Sequence, residues 1–354
     1  MRILISGICG FVGSTIALRL RASSDNPEIF GFDNFIRPGS ELNRLTLRRA
    51  GIGVRHVDQR NPSDIDALPD ADWVIDAAAN PSVLAGVDGE TSSRQLIEHN
   101  LSGTVNLLEY CKARRAGLII LSTSRVYSIN ALSQLKVVVS GNAHKPDLSG
   151  GTPRGLSADG VSEEFSTEPP LSIYGCTKLA SELLLLEYAA AFDFPAWINR
   201  CGTLAGAGQF GRGDQGIFTF WINSWLRRQP LRYLGFEGRG YQVRDCLHPG
   251  DLVPLLEKQM SSGGGTRRIF NVGGGTANSM SLAKLSAWCA KRFGPREISA
   301  DPVTRPFDIP WLVLDSARAW QEWSWKVDTP IESVLEEIAG HAEAHPEWLE
   351  LSAS

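Results

Sequence analysis

Seven residues near the start constrain this chain more than any others. Gly7-Ile8-Cys9-Gly10-Phe11-Val12-Gly13 follows the apolar run Arg2–Ser6 and leads into the amphipathic run Phe11–Arg21. Glycines between a strand and a helix let the backbone turn sharply and approach a ligand closely. The first turn of the helix then offers unpaired amides and a partial positive charge to a phosphate. The Gly-x-x-Gly-x-x-Gly spacing alone also suits a purely structural turn. The pattern that follows adds weight: Glu28–Asp33, Ile52–Val57, Asp72–Ala78 and Leu118–Ser122 read as strands, and Ser92–Arg115 as a long helix. Strands alternating with helices predict a parallel sheet with right-handed crossovers.

The second strand ends at Asp33, 20 residues after Gly13. A carboxylate there accepts hydrogen bonds from both hydroxyls of an adenosine ribose and repels a 2′-phosphate, which predicts NAD rather than NADP as cofactor. A solvated strand-end Asp is the plainer alternative. Asp58, at the end of the third strand, is placed to meet the adenine amino group.

Tyr174-Gly175-Cys176-Thr177-Lys178 sets a phenol and an ammonium four residues apart, on one face of a helix predicted over Ser172–Phe192. A phenol with an ordinary pKa near ~10 is a poor base at neutral pH. A neighbouring ammonium favours the phenolate, so Tyr174 could take a proton from a hydroxyl group. The fifth strand ends at Leu121-Ser122-Thr123-Ser124, where open α/β sheets bind ligands, and Thr123 could hydrogen-bond the reacting hydroxyl. Each signal recurs by chance in other chains. Their order — glycine turn, Asp, strand-end hydroxyl, Tyr-x-x-x-Lys — is what points to redox chemistry.

The remainder is less regular. Residues 128–170 are rich in Ser, Gly, Pro and Asp around a short Val137-Val138-Val139 run, and a long irregular segment of this kind is usually functional or disordered. Pro195–Asn199 reads as a strand, helices are predicted near 281–292, 314–323 and 330–343, and the tail Glu347–Ser354 is expected to fray. The division expected is a dinucleotide-binding domain over 1–200, receiving 241–253 as well, and a mainly substrate-binding domain over 201–354. The net charge of −4 supplies no general field for nucleic acid or an anionic membrane, and no apolar run reaches the ~18 residues of a membrane span. Six scattered cysteines lack Cys-x-x-Cys or zinc spacing, which predicts free thiols, no metal and a cytoplasmic location.

With these motifs in place the chain resembles the extended short-chain dehydrogenases/reductases, the family of NAD-dependent sugar epimerases and dehydratases. The likeness runs through Gly7–Gly13, Asn100–Glu109, Ser122–Tyr127, Tyr174–Lys178, Arg244–His248 and Asn271–Gly274. Within the family it is most similar to the CDP-paratose 2-epimerase branch, through Phe32-Asp33-Asn34-Phe35, Gln209-Phe210, Asp214-Gln215-Gly216 and the insert before Tyr174. The resemblance implies a Rossmann-type, doubly wound α/β sheet with a smaller α+β C-terminal substrate domain. It implies Thr123, Tyr174 and Lys178 as catalytic residues. It adds Asn34, Ala77, Ala78 and Asn100 to the cofactor site of Gly7, Gly10, Phe11, Val12, Gly13, Asp33 and Asp58, where Tyr174 and Lys178 also belong. It implies Asn80, Ser82, Thr123, Thr203, Gln209, Phe210, Gln215, Arg244 and Arg305 as substrate contacts, the two arginines on a diphosphate. Relatives dimerise through two helices, here Ser92–Arg115 and Ser172–Phe192, so a homodimer or higher homo-oligomer is expected.

Three positions depart from the family pattern: Asp76 stands for the usual His, Ser128 for a Gly, and Thr203-Leu204-Ala205-Gly206 lacks the usual Tyr. Dehydratases of this family carry an Asp-Glu pair after the strand-end Thr, and here it is Ser124-Arg125. The expectation is therefore epimerisation at one carbon, at carbon 2 of a CDP-sugar through a transient 2-keto sugar. UDP-sugar 4-epimerisation, another oxidoreductase or dehydratase reaction, and a non-catalytic NAD-binding protein stand as alternatives.

Overall fold

The computed structural model describes residues 1–352 except 88, 90–91, 214, 263–264 and 304–306. The chain forms two units, one of Met1–Thr123, Ile173–Arg200 and Pro249–Phe270, the other of Ser124–Ser172, Cys201–His248 and Asn271–Ser354.

The first unit is built on continuous apolar strands. Ile3, Leu4 and Ile5 are all fully buried, as are Leu118, Ile119 and Ile120, so these strands are covered on both faces, which is the environment of a parallel sheet. The seven strands lie in the order Ile269–Val272, Ala196–Cys201, Gly117–Thr123, Trp73–Asp76, Arg2–Ser6, Glu28–Asp33, Gly53–His56. The pairings from Gly117–Thr123 to Gly53–His56 are parallel, with Ile5 opposite both Gly31 and Ile75. From Arg2–Ser6 the chain winds first to one side and then crosses to Trp73–Asp76 on the other. The order therefore reverses between these two strands, and the C-terminal ends at such a reversal are where open α/β sheets take their ligands. The helix Phe11–Arg21 starts at that reversal, with no side-chain cap and no acidic residue in its first turn.

The single helix expected over Ser92–Arg115 is interrupted. Ser93–Ile97 and Gly103–Arg114 are α-helical, and Glu98–Ser102 between them is a π-helical turn. The wider turn accompanies an inward Asn100, 2% exposed, and such insertions gather at functional sites. At Gly103 a Cβ would stand 2.4 Å from the Gln59 carboxamide, so the helix resumes on a residue without one.

The second unit is organised around Val243–Leu247. This strand pairs antiparallel with Ser279–Ser281 and parallel with Trp311–Leu312 and Thr203–Leu204. The segment 124–172 is less irregular than its composition suggests. It holds the helix Ile129–Ser133 and a hairpin of Val137–Val139 with His144–Pro146. Its Tyr127, Leu156, Val161 and Phe165 share a core with Val243 and Ile309–Leu314. That burial places 124–172 in the second unit and not with 1–200. Likewise 249–270 belongs to the first unit, while 241–248 stays in the second. The aromatic cluster near 218–225 is the inner face of a helix, Ile217–Leu226, with Phe218, Trp221 and Trp225 buried. Helices at Leu282–Phe293, Ala317–Trp323 and Ile331–Ala344 match the expected ones. The tail does not fray up to Leu351: Pro346–Leu351 is a helix, held by Trp348, 5% exposed, whose ring meets Phe210 and His341. No helix of the described residues is long and apolar enough to cross a membrane. All six cysteines are free thiols, with Cys176 the exposed one.

Candidate active site

In the first unit the glycine turn is packed from both sides. Gly7 has φ +60°, and a Cβ there would lie 2.9 Å from Ala78 Cα; a Cβ on Gly13 would lie 2.3 Å from the Gly7 carbonyl oxygen. The turn, the helix behind it and the segment after Trp73–Asp76 thus close on one another with no room for side chains. Ser6 holds the join. Its Oγ accepts from the Ala77 and Ala78 amides at 3.1 and 3.0 Å and donates to Asp76 at 2.6 Å. The other Asp76 oxygen meets the Thr104 hydroxyl at 3.1 Å. Asp76, fully buried, therefore ties the two strands between which the order reverses.

Asp33 sits beside the turn, 7% exposed, accepting from the Cys9 amide at 3.0 Å and the Phe35 amide at 2.8 Å. Burial pushes its carboxyl above the usual range, against the pull of these backbone bonds. The Gly10 amide also bonds this carboxylate, so the glycine turn and Asp33 are fastened to one another. Uncapped helix amides, a cradle that a Cβ would fill and a carboxylate beside it suit a dinucleotide, with the amides for its pyrophosphate and Asp33 for its ribose. Asp58, two residues past the strand Gly53–His56, has partners of its own. Arg60 holds it through both oxygens, at 2.6–3.1 Å, and Asn34 reaches it at 3.5 Å. The Arg60 hydrogen bonds pull its carboxyl down to about 2.

Asn100 works through the chain itself. Its carboxamide takes the Asn80 amide at 2.8 Å, gives back to the Asn80 carbonyl at 3.0 Å, and donates to the Thr177 hydroxyl at 3.3 Å. It thereby fastens the loop after the fourth strand to the helix Ile173–Phe192 that carries Tyr174. In that loop the Asn80 carboxamide oxygen accepts from the Ser82 amide, and the Ser82 hydroxyl accepts from those of Leu84 and Ala85.

Tyr174 and Lys178 lie in the first two turns of Ile173–Phe192, 7% and 2% exposed, and Tyr174 packs with Ala85 and Leu96. Thr123 ends the strand Gly117–Thr123. Two further side chains escaped the sequence reading. Glu182, four residues beyond Lys178, accepts from Arg200 Nε at 3.1 Å on both oxygens and from Arg200 Nη2 at 2.7 Å. It also takes the Ser122 hydroxyl at 2.5 Å. The helical spacing of Tyr174, Lys178 and Glu182 was legible, whereas the partner, 18 residues on at the end of a strand, was not.

In the second unit the expected substrate residues are largely engaged with their neighbours. Thr203 pairs with Cys246. The Gln209 carboxamide donates to Leu204 O at 3.0 Å and accepts from the Thr219 hydroxyl at 2.8 Å, so it shapes its own loop. The Phe210 ring meets Trp348 edge-on at 5.3 Å, and Gln215 closes a turn with Arg212. Arg244 donates to Val243 O and Ile309 O at 2.7 and 3.0 Å and lies 3.6 Å from the Asp308 carboxylate. Arg305 lies outside the described residues.

Residues 3–273 match the NAD dependent epimerase/dehydratase family. The chain belongs to that family. Its cofactor is NAD, and it is an enzyme of the nucleotide-sugar epimerase group. The chain is 29% identical to CDP-paratose 2-epimerase of Salmonella typhi over 301 residues, 80% of this chain and 82% of that one. It is 27% identical to UDP-glucuronate 4-epimerase 1 of Arabidopsis thaliana over 358 residues, 95% and 75% of the two chains. Among solved structures, the Thermotoga maritima UDP-glucose 4-epimerase with UDP-glucose superposes with a TM-score of 0.77 at 20% identity, covering 98% of this chain and 100% of that one. The Bacillus cereus UDP-glucuronic acid 4-epimerase, bound to UDP-glucuronic acid and NAD, gives 0.77 at 23%, covering 97% and 99%. These two likenesses bear on the fold, a parallel sheet flanked by helices.

The tightness of the family's glycine turn yields a direct expectation. Gly13→Ala puts a Cβ against the Gly7 carbonyl, and either the turn opens or the helix shifts. Melting curves with and without NAD should show the NAD-dependent rise in Tm, clear in the parent protein, to be lost in the variant. An undiminished rise would mean that the turn does not contact the cofactor.

Proposed function

We propose that the protein is a CDP-sugar 2-epimerase that interconverts CDP-paratose and CDP-tyvelose. The observation that carries this reading is the pair Tyr174 and Lys178 on one buried helical face, in a chain without the Asp-Glu carboxylates of a dehydratase after Thr123. The match to CDP-paratose 2-epimerase along four-fifths of the chain supports the choice of sugar. Tyr174 withdraws the proton from the carbon-2 hydroxyl, and the buried Lys178 ammonium favours the resulting phenolate. Thr123 hydrogen-bonds the same hydroxyl. Asp33 would accept from the ribose hydroxyls of the cofactor, and the uncapped amides at Phe11–Gly13 would donate to its pyrophosphate. Arg244 and Arg305 grip the substrate diphosphate. NAD bound beside these groups would supply the reversible hydride chemistry at carbon 2 that inversion there requires. Tyr174 then gives its proton back, so neither cofactor nor base is consumed.

Incubation of the purified protein with CDP-paratose, followed by NMR, should show CDP-tyvelose forming. No conversion, together with turnover of another nucleotide sugar, would remove the CDP-sugar assignment. A second reading, 4-epimerisation of a UDP-sugar, is favoured by the 95% span of the match to UDP-glucuronate 4-epimerase 1. Calorimetric titration with CDP, UDP, GDP and dTDP separates the two, the tightest nucleotide naming the substrate class.

A further inference from the structure

Lys178 is 2% exposed and makes no ion pair within the described residues, although a carboxylate stands one helical turn further along the same face. Residues four apart on a helix are neighbours, and a Lys and a Glu so placed ordinarily attract. Glu182 is withheld from that pairing. Arg200, 5% exposed, reaches it from the strand Ala196–Cys201 with Nε on both oxygens and Nη2 on one. The Ser122 hydroxyl occupies the same carboxylate from the strand that ends at Thr123. Forked guanidinium contacts of this kind fix direction as well as distance.

We propose that Arg200 is a positioning residue: by engaging Glu182 it denies that carboxylate to Lys178 and keeps the ammonium charge available to Tyr174. The proposal rests on the reading of Tyr174 as the proton acceptor. In a site this dry, a lysine drawn to Glu182 would be partly neutralised and turned along the helix, and the phenolate would lose its main support. One carboxylate thereby ties the two elements that bear the expected catalytic side chains, the helix of Tyr174 and Lys178 and the strand of Thr123.

The test follows the phenol itself and needs no substrate. Ultraviolet difference titration of the NAD-saturated protein against its Tyr174→Phe counterpart isolates the ionisation of Tyr174. The same pair of titrations is run in the Arg200→Met, Arg200→Lys and Arg200→Met/Glu182→Leu backgrounds. In Arg200→Met the Tyr174 midpoint should rise by about one pH unit, a tenfold loss of phenolate at a given pH. In the double variant, with the competing carboxylate gone as well, it should return to the parent value. Replacing both members of a buried pair by apolar residues is commonly tolerated, so the double variant is expected to fold. Arg200→Lys, which keeps one contact, should give a smaller rise and stands in should Arg200→Met not fold. An unmoved midpoint in a folded single variant overturns the proposal, as does a double variant that rises as far as the single one. A parent midpoint at the ordinary value for a phenol would instead count against Tyr174 as the base.

Discussion

Tyr174→Phe is expected to lower kcat by a factor of about 1,000, the middle of what a positioned general base contributes, while leaving the fold and NAD affinity in place. The phenyl ring fills the same space against Ala85 and Leu96, so packing is kept and only the hydroxyl is removed. Lys178→Met should act in the same direction, because it takes away the buried positive charge one turn along the helix without touching the glycine turn. Single-turnover kinetics, with cofactor binding followed separately by fluorescence, check both. Retention of a tenth or more of the parent kcat in Tyr174→Phe would show that another group accepts the proton.

The second large effect concerns stability and centres on Asp245. This carboxylate, 1% exposed, lies at the middle of the second unit, where it accepts from the Gly274 amide at 3.0 Å and the Leu314 amide at 3.4 Å. Gly202 and Gly273 make room for it: a Cβ on either would stand 2.5 or 2.2 Å from its Oδ2. Burial pushes its carboxyl up to about 6, against the backbone bonds that pull it down. A raised carboxyl means that the folded state holds the proton more tightly than the unfolded chain does. The stability it contributes is fully present below the unfolded value near ~3.9, and is lost as pH rises through about 6. A displacement of about two pH units corresponds to roughly 3 kcal/mol. Urea unfolding between pH 4 and 8 should show this loss in the parent protein and its absence in Asp245→Asn, so that the parent loses stability relative to the variant as pH rises. Parallel profiles would refute the assignment. At pH 7, Asp245→Ala strands the Gly274 amide and leaves a hole, and is expected to cost about 3 kcal/mol.

Much of the first unit was legible because its signals are local. Phe11–Arg21, Glu28–Asp33 and Arg2–Ser6 fall where apolar periodicity and the glycine turn place them. The helix of Tyr174 and Lys178 was equally plain, bounded by Pro170 and Pro195. The π-helical turn at Glu98–Ser102 was not. It interrupts an otherwise helical pattern at the place where Asn100 bonds the Asn80 backbone, 20 residues away. The tail shows the same limit: Trp348 reads as one aromatic in a polar stretch until Phe210 and His341 are seen beside it.

The amino-acid sequence by itself determined the order of strands and helices, the glycine turn with Asp33 downstream, and the spacing that puts Tyr174 and Lys178 on one helical face. Periodicity, backbone freedom and residue chemistry act within a few residues, and so are written where they act. Tertiary structure alone decided that 124–172 joins the second unit, that Asp58 is held by Arg60, and that Gln209 and Arg244 bond to their own surroundings. It also decided that Arg200 closes on Glu182 behind Lys178. Those outcomes rest on burial and on hydrogen-bond partners supplied by distant segments, and a partner's identity exists only once the chain has folded.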